Sequence, residues 1–404
     1  MTTTQSALVE QSADNRQRRK ARIIWYGLLL VVMAVSSVGV IDRLVNGLGS
    51  TNLTSAVPWG AWVAFYIYFV GLSAGASMVS ALPYAFNLTR YERIGRPALL
   101  ISLVSMCVAL AFIGVDLGRL DRATNAMQYF HWSSALSWEV RFYLVFISLL
   151  VVQLVLTILQ HKGRLKDPTR ARKWVRILSG ITFPIAILGV LGGEGAIFAV
   201  VKARGMWSGG LLPVIFVVSA AAAGVAVVMI AHYVQARLMR HAYVPDMMKG
   251  LSKILLGVLL VDAGLTFYEF LIPVLSWSHH ETDIIAIMLT GPFAWSFWLI
   301  QIGMGLVGPI VILLIPRTKT SAPWMCFAAV LAVVGIIGVR FNIVVPPLIP
   351  GILDGYPINT YVPTMSEWML SAFFVAGGTL VFSAMCEWLP IHQPAPNSIQ
   401  EVSK

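Results

Sequence analysis

The sequence predicts an all-α integral membrane protein of about ten transmembrane helices, two four-helix bundles with two peripheral helices. Two observations predict it. Of 404 residues, 58% are hydrophobic and only 12% are charged, about half the charged share of a water-soluble domain. Ten apolar runs bounded by charges are each long enough to cross a hydrocarbon core of about 30 Å at 1.5 Å per helical residue.

The first run, 23–42, follows the basic stretch Arg16 to Arg22, and it is too long and lacks the cleavage signature of a signal peptide. The second, 59–86, opens on Pro-Trp-Gly and continues into Ser, Ala and Gly, which let helix backbones approach closely in lipid. The third, 98–118, ends on Asp116 and Arg119, and the fourth, 139–160, opens on Glu139 and Arg141. Glu194 interrupts the fifth, 174–201. The sixth, 209–236, resembles the second in its Trp, its glycines and its small-residue run, so 59–201 and 209–345 read as a four-span repeat. The seventh, 252–275, carries Asp262, Thr266 and Glu269, spaced four and three apart and hence on one helical stripe. The eighth, 292–315, has no acid or base before its end; the ninth, 323–345, carries Arg340, and the tenth, 367–389, opens on Glu367. Residues 1–22 and 390–404 are left as terminal tails.

The Lys and Arg residues orient this bundle. The net charge is +11, and 22 of the 29 Lys and Arg fall in the segments that share a side with the two termini. The positive-inside rule then makes both termini cytoplasmic and explains the charge without nucleic acid. The loops 276–291 and 346–366 hold no Lys or Arg, as periplasmic loops should. The second is rich in Pro, Gly and Tyr and is expected to form a fixed, irregular cap. Three cysteines make no disulfide framework.

An ionisable group in hydrocarbon costs a few kcal/mol at least, so each needs a partner, a wet cavity or a task. The plainer reading makes interhelical salt bridges of Arg340 and Arg141. For His131, beside Trp132 in the 117–138 loop, a surface role and a functional role read equally well. No cytochrome pattern emerges, because of seven histidines only His232 sits well inside a span. Neither iron–sulfur ligands, a zinc set, a P-loop nor a dinucleotide fingerprint occurs. The chain is therefore expected to hold no haem, cluster or metal.

VPWGAWVAF at the second span, DLGR from Asp116 to Arg119, Ser-Trp-Glu at Ser137 to Glu139, and RFN followed by the Pro-rich loop and SEW at Glu367 stand in order along the chain. In these pieces the sequence resembles the NrfD or polysulfide-reductase membrane-subunit family, in the ten-span branch that resembles HybB and DsrP. The resemblance covers all ten spans. It implies a quinone-binding membrane subunit of a multi-subunit redox complex, which exchanges electrons with a ferredoxin-like iron–sulfur protein on its periplasmic face, alongside further catalytic or cytochrome subunits. Menaquinone or ubiquinone would be the cofactor. By that resemblance the pocket falls on Asp116, His131 and Glu139, with Arg340 as an electrostatic stabiliser. Glu194, Asp262 and Glu269 are assigned to a proton path, although no family motif fixes Glu194. Readings of another class are a secondary transporter, suggested by the repeat and the buried acids, and a purely structural anchor.

Overall fold

The computed structural model describes residues 3–165, 167–208, 210–238, 243–276, 279–351 and 358–391, the side chains before residue 16 and at 276, 279 and 280 excepted. Among these residues the secondary structure is helical, with no strand, and ten helices are long and apolar enough to cross a membrane. They are α1 (Thr3–Asn46), α2 (Ala61–Tyr84), α3 (Glu92–Asp116), α4 (Ala135–His161) and α5 (Pro168–Ala199). Then come α6 (Leu211–Leu238), α7 (Pro245–Ser276), the short α8 (His279–Leu289), α9 (Ser296–Leu314), α10 (Ala322–Val344) and α11 (Met365–Trp388). The alternating helices define two faces. The one that α1 enters and α11 leaves is here the basic face, and the opposite one the distal face.

All ten expected spans form, and the differences lie at their edges. Helix α1 reaches back through the expected tail, and α8 occupies most of the 276–291 loop. Residues 392–404, nearly all of the expected C-terminal tail, lie outside the described residues, as does His241. Helices α5 and α9 widen into π-helical turns over Ile185–Leu191 and Ser296–Val307. Such widening is found often at functional sites, and in α5 it sets the rotation of the next turn, which carries Glu194.

Helix α2 is the centre of the molecule, with 89% of its most apolar window buried, whereas the corresponding figure for α1 is 17%. It packs on α3, α5, α6 and α10. Helices α2 to α5 contact one another, α6, α7, α9 and α10 do likewise, and α1 pairs with α11 at the side. Gly75 of α2 and Gly224 of α6 bring the two groups together, since a Cβ on either would collide with the other helix's backbone. Without a hydrophobic drive between helices in lipid, this close backbone approach is what makes the contact favourable.

Helix ends are fixed by side chains. Asp167 caps α5 by accepting from the Thr169 and Arg170 amides, both at 3.0 Å, with Pro168 in the first turn. Thr364 and Glu367 form a reciprocal capping box at α11. The described part of the 346–366 loop is packed: Pro346, Pro347, Leu348 and Ile349 are buried, and Arg204 donates to the Pro347 and Pro350 carbonyls at 3.0 and 2.9 Å. Residues 352–357 are outside the described residues.

Candidate functional site

Arg340 stands on the face of α10 that turns toward α6 and α2, and it is wholly buried. Its Nη2 donates to the Phe216 carbonyl at 3.3 Å and to the Ser219 hydroxyl at 3.0 Å, and the guanidinium lies 4.0 Å from the centre of the Phe216 ring. Gly71 of α2 makes room for it, because a Cβ there would sit 3.2 Å from Nη2. The expected salt bridge does not form: among the described residues no ion pair within 4.0 Å involves Arg340, and its Nε and Nη1 have no hydrogen-bond partner. Compensation comes at longer range, from Glu194 first and then Asp262 and Glu269. In a low-dielectric interior such attraction persists well beyond contact distance. Arg340 is thus a cation within electrostatic reach of all three acids assigned to the expected path.

Glu139 continues this cluster. It is 1% exposed, and its Oε1 accepts from the Tyr143 hydroxyl at 2.7 Å. The two residues are four apart on α4, hence on one face. Tyr143 is in turn 2.7 Å from the Tyr66 hydroxyl of α2. Gly193 of α5 backs onto Glu139, which brings the neighbouring Glu194 within its electrostatic reach. Both oxygens of Glu194 lack a hydrogen-bond partner. At the far side of the cluster, half-buried Glu269 lines a cavity of about 270 Å³ with Tyr268 and Glu281, near the distal ends of α6 and α7. Thr266 is 7% exposed and Asp262 3%, so the expected stripe on α7 does face inward.

A second acidic centre lies at the distal end of α3. One carboxylate oxygen of Asp116 is buried without a hydrogen-bond partner. Arg43 of α1 brackets it, donating Nε to the Val115 carbonyl at 2.8 Å and Nη2 to the Leu117 carbonyl at 3.1 Å. Arg43 and Glu367 both act on Asp116 electrostatically. Glu367, by contrast, is satisfied: it accepts from the Tyr361 hydroxyl and from the Thr364 amide at 2.8 Å. Burial first and the Glu367 charge second hold the Tyr361 phenol well above its ordinary pKa, so it remains a donor. Its oxygen also accepts from the Ala61 amide at 2.8 Å, tying the start of α2 to α11.

His131 is exposed, in the loop before α4, with Nδ1 2.9 Å from the Ser133 hydroxyl. It touches neither Asp116 nor Glu139 through any described hydrogen bond. Arg141 points away from Glu139, donating to the Ser137 carbonyl at 2.7 Å and lying 4.3 Å from the centre of the Phe130 ring, again without the expected salt bridge. His232 accepts from the Val244 amide through Nε2 at 3.3 Å. Glu139, Glu194, Asp262, Glu269 and Arg340 lie within electrostatic reach of one another in a chain of neighbours, whereas among the described residues no hydrogen bond or ion pair ties Asp116 or His131 to them or to each other. Sequence reasoning missed Tyr66, Tyr143, Arg43 and Tyr361. For Tyr143 a signal existed, since it stands one helical turn after a buried acid.

Chemically, the central cluster is a set of exchangeable carboxyl and phenol groups around a fixed cation, and the Asp116 centre offers an uncommitted carboxyl oxygen at a helix end. The family description "Polysulphide reductase, NrfD" matches residues 49–350. The chain is 30% identical to a selenate reductase subunit of Mesobacillus selenatarsenatis, covering 91% of this chain and 94% of the relative. It is 29% identical to the Hdr-like menaquinol oxidoreductase integral membrane subunit of Archaeoglobus fulgidus, over 89% and 92%. With the probable Ni/Fe-hydrogenase 2 b-type cytochrome subunit of Escherichia coli it shares 25% identity, over 92% of each. Ten membrane helices in this order, a match across most of their length and full-length relatives at this identity establish that the chain belongs to the polysulphide reductase NrfD family.

Proposed function

We propose that this chain is the quinone-interacting integral membrane subunit of a multi-subunit respiratory oxidoreductase. The observation that carries the reading is the orphaned, buried carboxyl oxygen of Asp116 beside Arg43, at the distal edge of the bundle. An unsatisfied buried acceptor suits the hydroxyl of a bound quinol, and a protonated carboxyl there suits a quinone carbonyl. The relatives named above, one of them a menaquinol oxidoreductase subunit, support the same class of work.

A bound menaquinone or ubiquinone would supply reversible two-electron, two-proton chemistry. The chain's own residues handle the protons. Asp116 holds or releases one at its free oxygen, while Arg43 fixes the backbone on either side of it. Glu139 exchanges a proton with Tyr143 and Tyr66 along the 2.7 Å hydrogen bonds. Glu194, Asp262 and Glu269, held about Arg340, form the proposed onward path, with the Glu269 cavity as its distal end. The 59–201 and 209–345 repeat belongs to this reading, with Gly75 and Gly224 in corresponding small-residue runs.

Electrons enter or leave through a ferredoxin-like iron–sulfur subunit on the distal, periplasmic face, with both termini of this chain in the cytoplasm of a bacterial or archaeal cell. The loop before α4 supports that docking, because it presents Tyr129 and Trp132 at 72% and 76% exposure beside His131. His131 is then covered by the partner and acts at its boundary. The chain itself is read as carrying no haem, since His232 already accepts a backbone hydrogen bond. Quinol-linked electron transfer by the reconstituted complex tests the reading: Asp116→Asn and Glu139→Gln should each slow turnover by about 100-fold, and His131→Ala should weaken partner-dependent transfer. Unchanged rates in all three would remove the site.

A further inference from the structure

The basic face holds a polar cavity of about 470 Å³ where α2, α3, α4 and α5 end or begin. Arg96, Arg172 and Arg176 line it with His161 and Gln160. Arg96 is only 6% exposed. Its described hydrogen-bond partners are all neutral: Nη1 donates to the Pro390 carbonyl at 2.6 Å and Nη2 meets His161 Nδ1 at 3.3 Å. Arg176 donates to the Asn87 side-chain carbonyl at 2.6 Å, likewise neutral. Glu92, the one acid in the wall, is ion-paired with Arg172 at 3.2 Å. Among the described residues no carboxylate lies within 4.0 Å of Arg96 or Arg176.

No carboxylate bonds the buried Arg96 guanidinium directly: Glu92 acts on it only at longer range while paired to Arg172, so the water it lost is replaced mainly by weak dipoles. Next to it is a space with a second cation on its wall. Phe86, Leu88 and Trp174, chain neighbours of the lining residues Asn87, Thr89 and Val175, are 53%, 45% and 48% exposed. A cationic hollow at a helix-end level, with exposed apolar side chains next to its lining residues in the chain, suits a phosphate whose remainder lies in lipid. We propose that this cavity binds the phosphate of an anionic glycerophospholipid from the leaflet on the basic face, with Arg96 and Arg176 as its cationic partners. When Nδ1 of His161 accepts from Arg96, the ring proton sits on Nε2, which gives a further donor for a phosphate oxygen.

The test uses the full chain in nanodiscs of phosphatidylcholine containing a trace of fluorescent phosphatidylglycerol, with tryptophan-to-lipid energy transfer as the readout. Phosphatidylglycerol should be retained over a matched phosphatidylcholine probe. Arg176→Gln, an exposed position that leaves the fold intact, should weaken that preference about fivefold, and Arg96→Gln at least as much. Lys173→Gln, on the same helix but outside the wall, should leave it unchanged. Equal retention of the two probes, or a preference that survives both arginine substitutions, would overturn the proposal. So would a stabilisation by inorganic phosphate in pure phosphatidylcholine discs without any preference for the anionic lipid, which would make the ligand a soluble anion.

Discussion

The hydroxyls of Tyr66 and Tyr143 lie 2.7 Å apart inside the first bundle, and Tyr143 also donates to Glu139 at 2.7 Å. A phenol held between another phenol and a carboxyl can pass a proton only while its own oxygen is present. Tyr143→Phe keeps the packing volume and removes that oxygen. We expect proton-coupled quinol turnover to fall by about 100-fold with little change in thermal stability, measured on the reconstituted complex. A rate within a factor of two of the unsubstituted protein would take the tyrosines out of the mechanism.

Arg340 is the common cation of three acids. Replacing it with Met leaves Glu194, Asp262 and Glu269 without their positive neighbour and the Ser219 hydroxyl without its donor. Leaving a buried polar group without its partner costs about 1–3 kcal/mol. Unfolding in detergent monitored by circular dichroism should show a clearly lower midpoint, and combining Arg340→Met with Glu194→Gln should recover part of the loss.

The contact of α2 with α6 depends on two hydrogen atoms in place of methyl groups. Gly75→Val should destabilise by about 1–3 kcal/mol through overpacking. Gly180→Ala is the control, as nothing lies within 4 Å of a Cβ there; it should match or slightly exceed the parent, because Ala favours a helix over Gly.

Asp167 is a cap that depends on charge. The Thr169 hydroxyl first, and then the Arg170 amide, hold its carboxyl below the ordinary value of 3.8. A carboxyl whose pKa is lower in the folded state contributes stability above its unfolded pKa and loses it as pH falls through the folded one. The amides of Thr169 and Arg170 should therefore lose protection, relative to the intrinsic exchange rate at each pH, below about pH 4, and Asp167→Ala should show that loss of protection at neutral pH too.

Much of the architecture could be read from the chain because a membrane span is a one-dimensional signal. Apolar length and flanking charge specify each helix, and the Asp262–Thr266–Glu269 spacing specifies an inward stripe. What the spacing could not supply is which helix each stripe meets. Glu139 and Asp116 fall near one another in a topology diagram, yet the first turns toward α2 and α5 and the second toward α1 and α11. Nothing in the spacing singles out Tyr66 among the aromatics of its span or Arg43 among the charges that flank one; only packing brings the former to Tyr143 and the latter to the backbone around Asp116. The π-helical turns before Glu194 left no local mark beyond Pro184 and Gly189, and they decide which way that acid points.

The most direct measurement is photoaffinity labelling of the membrane complex with an azido-quinone, followed by peptide mapping. Labelling in the peptide that ends α3 at Asp116 and in the one that begins α11 around Glu367, competed by unlabelled quinol and reduced in Asp116→Asn, is the expected result. Labelling confined to the basic half of the bundle, or unaffected by competitor, would contradict a quinone site beside Asp116.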